Sequence, residues 1–153
     1  MKRYPKDIHL YSIAIAYMLL YIAGVLLSGV WLFLLSQGME GSILHAVASL
    51  IDSPAAKSWH NFIEIATPHL FGMGLSLFVV AHFLLFSTKI PQWWSLRFAV
   101  VLFAVMFLDI FAYGPIISGV VVSGWVKLAA VFLFVVLFVV LSGMVAVSLK
   151  RVI

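Results

Sequence analysis

The residues able to do chemistry in this chain are few, and most lie inside long apolar runs. His69 and His82 are thirteen positions apart in one such run, with Glu64 near its start. Asp109 and Tyr113 lie in the next run, and Lys127 opens the last. His9 stands at the head of the first run, while His45 and His60 lie between the first two. Neutral imidazoles ligate haem iron, zinc, copper and non-haem iron. Carboxylate, imidazole, phenol and ammonium groups inside a membrane also serve as proton relays. There is no cysteine, which removes disulfides, cysteinate iron–sulfur clusters, thiolate zinc sites and thioether-attached haem. No phosphate-binding loop and no serine–histidine–acid set with usable spacing is present, so no enzyme constellation is legible.

The elements that position these groups follow from composition. Of 153 residues, 65% are hydrophobic and only 9% charged. A globule of this size lacks the interior to hide that much apolar side chain. A soluble enzyme, a nucleic-acid-binding domain and a disordered tail are thereby excluded. The formal charge of +4 does not point to nucleic acid, because the basic residues sit at the ends of the apolar runs. The expected partner is the lipid bilayer.

A membrane span needs about 20 mostly apolar residues. Four segments qualify, at about residues 8–35, 63–86, 98–117 and 125–149. The expected fold is an all-α polytopic membrane protein in one domain over 1–153. It is a four-transmembrane-helix up-down bundle with a short amphipathic outer helix. The first segment follows Met1-Lys2-Arg3 but is too long for a signal peptide and has no small-x-small site, which reads as a retained anchor. Residues 36–61 form the outer loop, where Ile43, Leu44, Val47, Leu50 and Ile51 recur at helical spacing over 42–52. That helix is expected to lie on the membrane surface. Residues 89–96 form a loop carrying Pro91, Trp93 and Trp94.

Orientation follows from lysine and arginine. Lys2, Arg3, Lys6, Lys89, Arg97, Lys150 and Arg151 fall on one side, against Lys57 and Lys127 on the other. Both termini are therefore expected in the cytoplasm. Trp31, Trp59 and Trp125 belong to the far interface, Trp93 and Trp94 to the near one. In lipid, helices associate through close approach at small residues and a few polar contacts. Tyr17, Gly24 and Ser28, then Gly72, Gly74 and Ser76, then Ser142 and Gly143 are the expected packing positions. The run from Val131 to Val140 reads as lipid-facing bulk.

Depth and phase sort the ionisable residues. At ~1.5 Å rise per residue, Glu64, His69, Asp109, Tyr113 and Lys127 share the outer half, where they are expected to form one cluster. Asp109 is expected to pair with Lys127. His82 lies near the inner side, with His9 its nearest partner in depth. The two span histidines are ~20 Å apart along the axis and about 140° apart around it, so one metal ion cannot take both. They suit two sites.

This arrangement resembles membrane b-type cytochromes, which hold haem b between helices of a bundle. The resemblance implies electron transfer, His69 with His60 or His45 at an outer haem, and His82 with His9 at an inner one. Lys127 would meet propionates, and Gly72 would make room for the macrocycle. The chain departs from those proteins in having no paired histidines on a second span. Other readings stay open. Glu64, His69, Asp109 and His60 offer ligands for a metal without haem. A proton path from Glu64 through Asp109 and His69 to His82 would cross an apolar inner half. A cofactor-free accessory subunit of a larger membrane assembly, such as a respiratory complex, or a homo-oligomer, would use the polar cluster for packing. The stretch Glu64-Ile-Ala-Thr-Pro68-His69-Leu-Phe-Gly72-Met-Gly through His82-Phe83, with Leu108-Asp109 and Trp125-Val-Lys127-Leu, resembles a group of uncharacterised four-span bacterial inner-membrane proteins. Some of these carry an elongation-factor label. That resemblance implies a bacterial inner membrane and the same spans, without a mechanism.

Overall fold

The computed structural model describes residues 8–36, 42–52, 54, 58–85 and 90–149, with all their side chains except those of Ile8, His9, Leu10 and Leu85. Every regular element among them is helical: α1 (Ile8–Ser36), α2 (Ile43–Asp52), α3 (Trp59–Leu85), α4 (Gln92–Phe111), α5 (Tyr113–Ile117) and α6 (Trp125–Leu149). Four stretches are long and apolar enough to cross a membrane: α1, α3, α4 continued by α5, and α6. The protein is an all-helical membrane protein with four spans and one shorter amphipathic helix.

Two expected boundaries move outward. The second span begins at Trp59 rather than residue 63, and the third at Gln92 rather than residue 98. Residues 92–96 are therefore helix, not loop. Interfacial residues such as Trp93, Trp94 and Arg97 dilute hydropathy while continuing a helix. Arg97 lies over the Trp93 ring, 3.1 Å from its centroid, a pairing one helical turn apart. The starts of α3 and α2 carry side-chain caps. The Ser58 hydroxyl accepts from Asn61 N at 3.2 Å, and the Ser42 hydroxyl accepts from His45 N at 3.1 Å. Each satisfies a donor that the first turn leaves free.

The core lies where α3, α4 and α6 meet. Leu77, Val80 and Leu84 of α3 pack with Leu102, Val105 and Met106 of α4, and with Phe134, Phe138, Leu141 and Val145 of α6. The run expected to be lipid-facing bulk divides instead: Phe134 and Phe138 are buried while Phe132, Leu133, Val136, Val139 and Val140 are exposed, on a helix that touches α1, α2, α3 and α4. Composition alone does not separate a lipid-facing apolar residue from a buried one. The small residues do less packing than expected. A Cβ at Gly74 would meet Met106 Cε at 3.9 Å, but a Cβ at Gly24, Gly72 or Gly143 would meet nothing within 4 Å. Tyr17 is exposed as well. Large interlocking side chains fill this interface instead.

α1 is peripheral. It inserts Ser12, Ile15 and Ile22 into the bundle and packs against α6 and α2. Its other faces, with Tyr11, Tyr17, Tyr21, Leu27 and Trp31, are exposed. The bundle is consequently not a regular square, and a gap opens between α1 and α3.

The α2 end of the molecule is tightly locked. Ala46 and Leu50 are buried, and a Cβ on Gly124 would overlap the Leu50 carbonyl oxygen, so only glycine permits this approach. Gly124 N donates to Ile51 O at 3.2 Å, and the Ser123 hydroxyl donates to the same oxygen at 3.1 Å. α4 stops where Pro115 withholds the N–H that would reach Phe111 O. α5 then closes with Gly119 at φ +73, where Gly119 N reaches Ile116 O at 3.1 Å and Val120 N reaches Pro115 O at 3.0 Å. That is a Schellman closure with glycine in the left-handed position.

Candidate intramembrane site

The gap between α1 and α3 is the site. It holds two adjoining cavities of about 360 and about 240 Å³. Gly29, Phe33, His69, Asp109 and Lys127 line both. The larger runs toward the middle of the bundle between Leu26 of α1, Met73 of α3 and Phe134 and Phe138 of α6. The smaller lies toward the α2 end and adds Phe62, Ala66 and Tyr113. Apart from the polar groups named below and Ser76, the walls of the larger cavity are apolar.

The polar centre is an ion pair. Lys127 Nζ donates to Asp109 Oδ1 at 2.6 Å and to the Asp109 backbone oxygen at 2.7 Å. Both residues are more than nine-tenths buried. The backbone contact is intelligible from the helix ending. Asp109 sits in the last turn of α4, where carbonyls lose intrahelical partners and a cation is favourable. A carboxylate at this negative end is unfavourable by itself, and Lys127 offsets it. The ammonium also faces the Phe33 and Tyr113 rings, at 5.8 and 5.6 Å from their centroids. An ammonium has three N–H groups, and the bonds among the described residues use two. Asp109 Oδ2 takes no bond there, and no buried polar side-chain atom is left unsatisfied, so this oxygen opens on the cavity.

His69 is held by its own helix. Its Nδ1 lies 2.8 Å from Ile65 O and donates to it, which leaves Nε2 as an acceptor. Pro68 precedes His69 inside α3 and, carrying no N–H, leaves Glu64 O without its usual helical donor. Thr67 likewise turns its hydroxyl onto Ile63 O at 2.9 Å. Both are bonds from a side chain to the carbonyl four residues back on the same helix.

The expected cluster is therefore assembled in part. His69, Asp109, Tyr113 and Lys127 converge, but Glu64 does not. Glu64 is exposed and lines neither cavity. Five residues along a helix is a rotation of about 140°, which puts Glu64 on another face from His69. His60, nine residues before His69, is about 180° away by the same geometry, and it is exposed. His45 is exposed on α2. His82 is exposed and stacks on Phe78 with ring centroids 6.0 Å apart. None of these three histidines lines either cavity. His9 lies in the first turn of α1, with its side chain outside the described residues. Among the described residues, no three of His, Asp and Glu come together as a metal-binding group.

Residues that sequence reasoning passed over supply the walls. Ile22, Leu26, Gly29, Val30 and Phe33 form one stripe of α1 at helical spacing, and only the missing neighbour on α3 turns it into a cavity wall.

A family model described as a transmembrane helical domain matches residues 47–151. The matched segment covers α3 to α6 and part of α2, and α1 lies outside it. No curated protein and no solved structure matches the chain.

Proposed function

The chain belongs to that family of transmembrane helical domains, and we propose that it is an intramembrane binding protein for an amphipathic molecule drawn from the bilayer. The observation that carries this is a buried ion pair which leaves polar atoms facing an otherwise apolar cavity. Apolar pockets with a few convergent polar groups are the usual form of small-molecule sites. The head of the molecule would sit at Asp109, Lys127 and His69, and its apolar body along Leu26, Met73, Phe134 and Phe138. We place both termini in the cytoplasm on the Lys and Arg bias, and a bacterial cytoplasmic membrane on the resemblance to four-span bacterial inner-membrane proteins, with the chain as a subunit of a larger assembly. The test is mass spectrometry of the organic extract from detergent-purified protein. One amphiphile enriched over bulk membrane lipid, and lost in Gly72→Leu, is the expected result. An extract identical to bulk lipid in both proteins would overturn the reading.

Haem b in membrane electron transfer is the second reading, and a specific observation favours it. Nδ1 donating to a backbone carbonyl is the arrangement that orients a metal-ligating histidine. His69 would be the axial ligand, and the open space at Gly29 and Gly72 would admit the macrocycle. Lys127 is already neutralised by Asp109, and no second described histidine lines the cavity, which places this reading after the first. Reduced-minus-oxidised spectra with a pyridine haemochrome assay decide it. Bands lost in His69→Ala support haem, and a colourless preparation from haem-replete cells removes it.

A further inference from the structure

We propose that the molecule bound in this cavity is a membrane quinone in its oxidised or reduced form, an assignment that rests on the binding reading above. Three features narrow the class.

Charge comes first. Asp109 Oδ1 lies 2.6 Å from Lys127 Nζ, so the two formal charges cancel inside the site. A phosphate or fatty-acid carboxylate entering here would bring a net negative charge into low dielectric, with no unpaired Lys or Arg among the described lining residues to meet it. The head is therefore neutral.

Hydrogen-bonding capacity comes second. Lys127 presents an unused N–H, while Asp109 Oδ2 and His69 Nε2 present lone pairs. One donor and two acceptors serve a carbonyl oxygen and a hydroxyl alike. A quinone carbonyl accepts from Lys127. A quinol hydroxyl donates to Asp109 or His69. Unpaired polar groups in such a site discriminate strongly against heads that cannot pair with them.

Shape comes third. Gly29 and Gly72, from the two helices bounding the gap, each leave open space where a Cβ would project, and Phe33 and Phe134 line the same cavity. A flat ring fits between helices where side chains are missing, and aromatic neighbours favour it. The apolar tract along Leu26, Met73 and Phe138 suits an isoprenoid tail.

The experiment is equilibrium binding of radiolabelled decylubiquinone to the detergent-purified full chain, with oleate and a short-chain phosphatidylglycerol as competitors. Saturable binding is expected, displaced by unlabelled quinone but by neither anionic amphiphile. It should weaken at least tenfold in Gly72→Leu, whose added side chain enters open space and leaves the ion pair intact. It should weaken comparably in His69→Phe, which removes an acceptor and keeps an aromatic ring. Circular dichroism and gel filtration on both variants establish that they fold. Saturable binding of oleate or phosphatidylglycerol without quinone would overturn the quinone assignment and leave the binding reading standing. Non-saturable uptake of all three probes, equal in the variants, would overturn both.

Discussion

At the residue scale, the decisive feature is a lysine and an aspartate that meet eighteen positions apart in the chain. Removing one partner of a buried pair strands a charge, and that costs about 3–5 kcal/mol in protein interiors. Lys127→Met is expected to lower the thermal midpoint in detergent sharply. Asp109→Leu combined with Lys127→Met should recover much of the loss, since both desolvated charges then disappear. A double variant no more stable than the singles would place the damage outside the pair. His69 makes the opposite prediction. Its only described bond is to its own helix, so His69→Ala should leave stability within about 0.5 kcal/mol, as for surface changes away from packed features. The same substitution is expected to diminish ligand occupancy. That separation of stability from binding is measurable on one preparation. Asp109, Tyr113, Lys127 and His69 were legible as a group from depth alone. Glu64 shares their depth, but helical phase, also legible in the chain, puts it on another face from His69.

At the element scale, the α2 end is held by backbone rather than by large side chains. Gly124→Ala would drive a Cβ into the Leu50 carbonyl and must separate α2 from the start of α6. A loss of about 1–3 kcal/mol is expected, as for other overpacked positions, read by thermal unfolding in detergent. Gly72→Leu lies at the other extreme. It lines the cavity with nothing within 4 Å, and glycine is the poorer helix former, so stability should hold or rise slightly. In the chain Gly72 interrupts an apolar span and Gly124 lies just before the last one, and neither place shows how closely a neighbour approaches. The ends of α2 were legible to within a residue, since helical spacing over 42–52 matches Ile43–Asp52. Other helix ends were misplaced where interfacial tryptophan and arginine continue a helix past its apolar part, as at Trp93, Trp94 and Arg97.

At the scale of the whole molecule, α1 stands apart from a core of α3, α4 and α6. Core truncation should therefore cost more than truncation in α1. Leu77→Ala, at a fully buried position, is expected to lose about 2–5 kcal/mol. Leu20→Ala, on the exposed face of α1, should be near neutral in the same thermal assay. Equal losses would mean that α1 is as integral as the others. Topology is checked with reporters: C-terminal fusions should be active only for a cytoplasmic reporter, and activity of a periplasmic one would reverse the assignment. The number and approximate place of the spans, the all-helical class and the amphipathic α2 were determined by sequence. The reason is local, since a backbone in lipid must satisfy its own hydrogen bonds and apolar runs of sufficient length do so as helix. Which apolar face is buried had no local signature. In lipid an outward apolar residue and an inward one are equally comfortable, and the run from Val131 to Val140 read wholly as bulk although its Phe134 and Phe138 are buried in the core. Only the tertiary structure decided that α6 is central, that α1 stands off from α3, and that this gap brings His69 to Asp109 and Lys127.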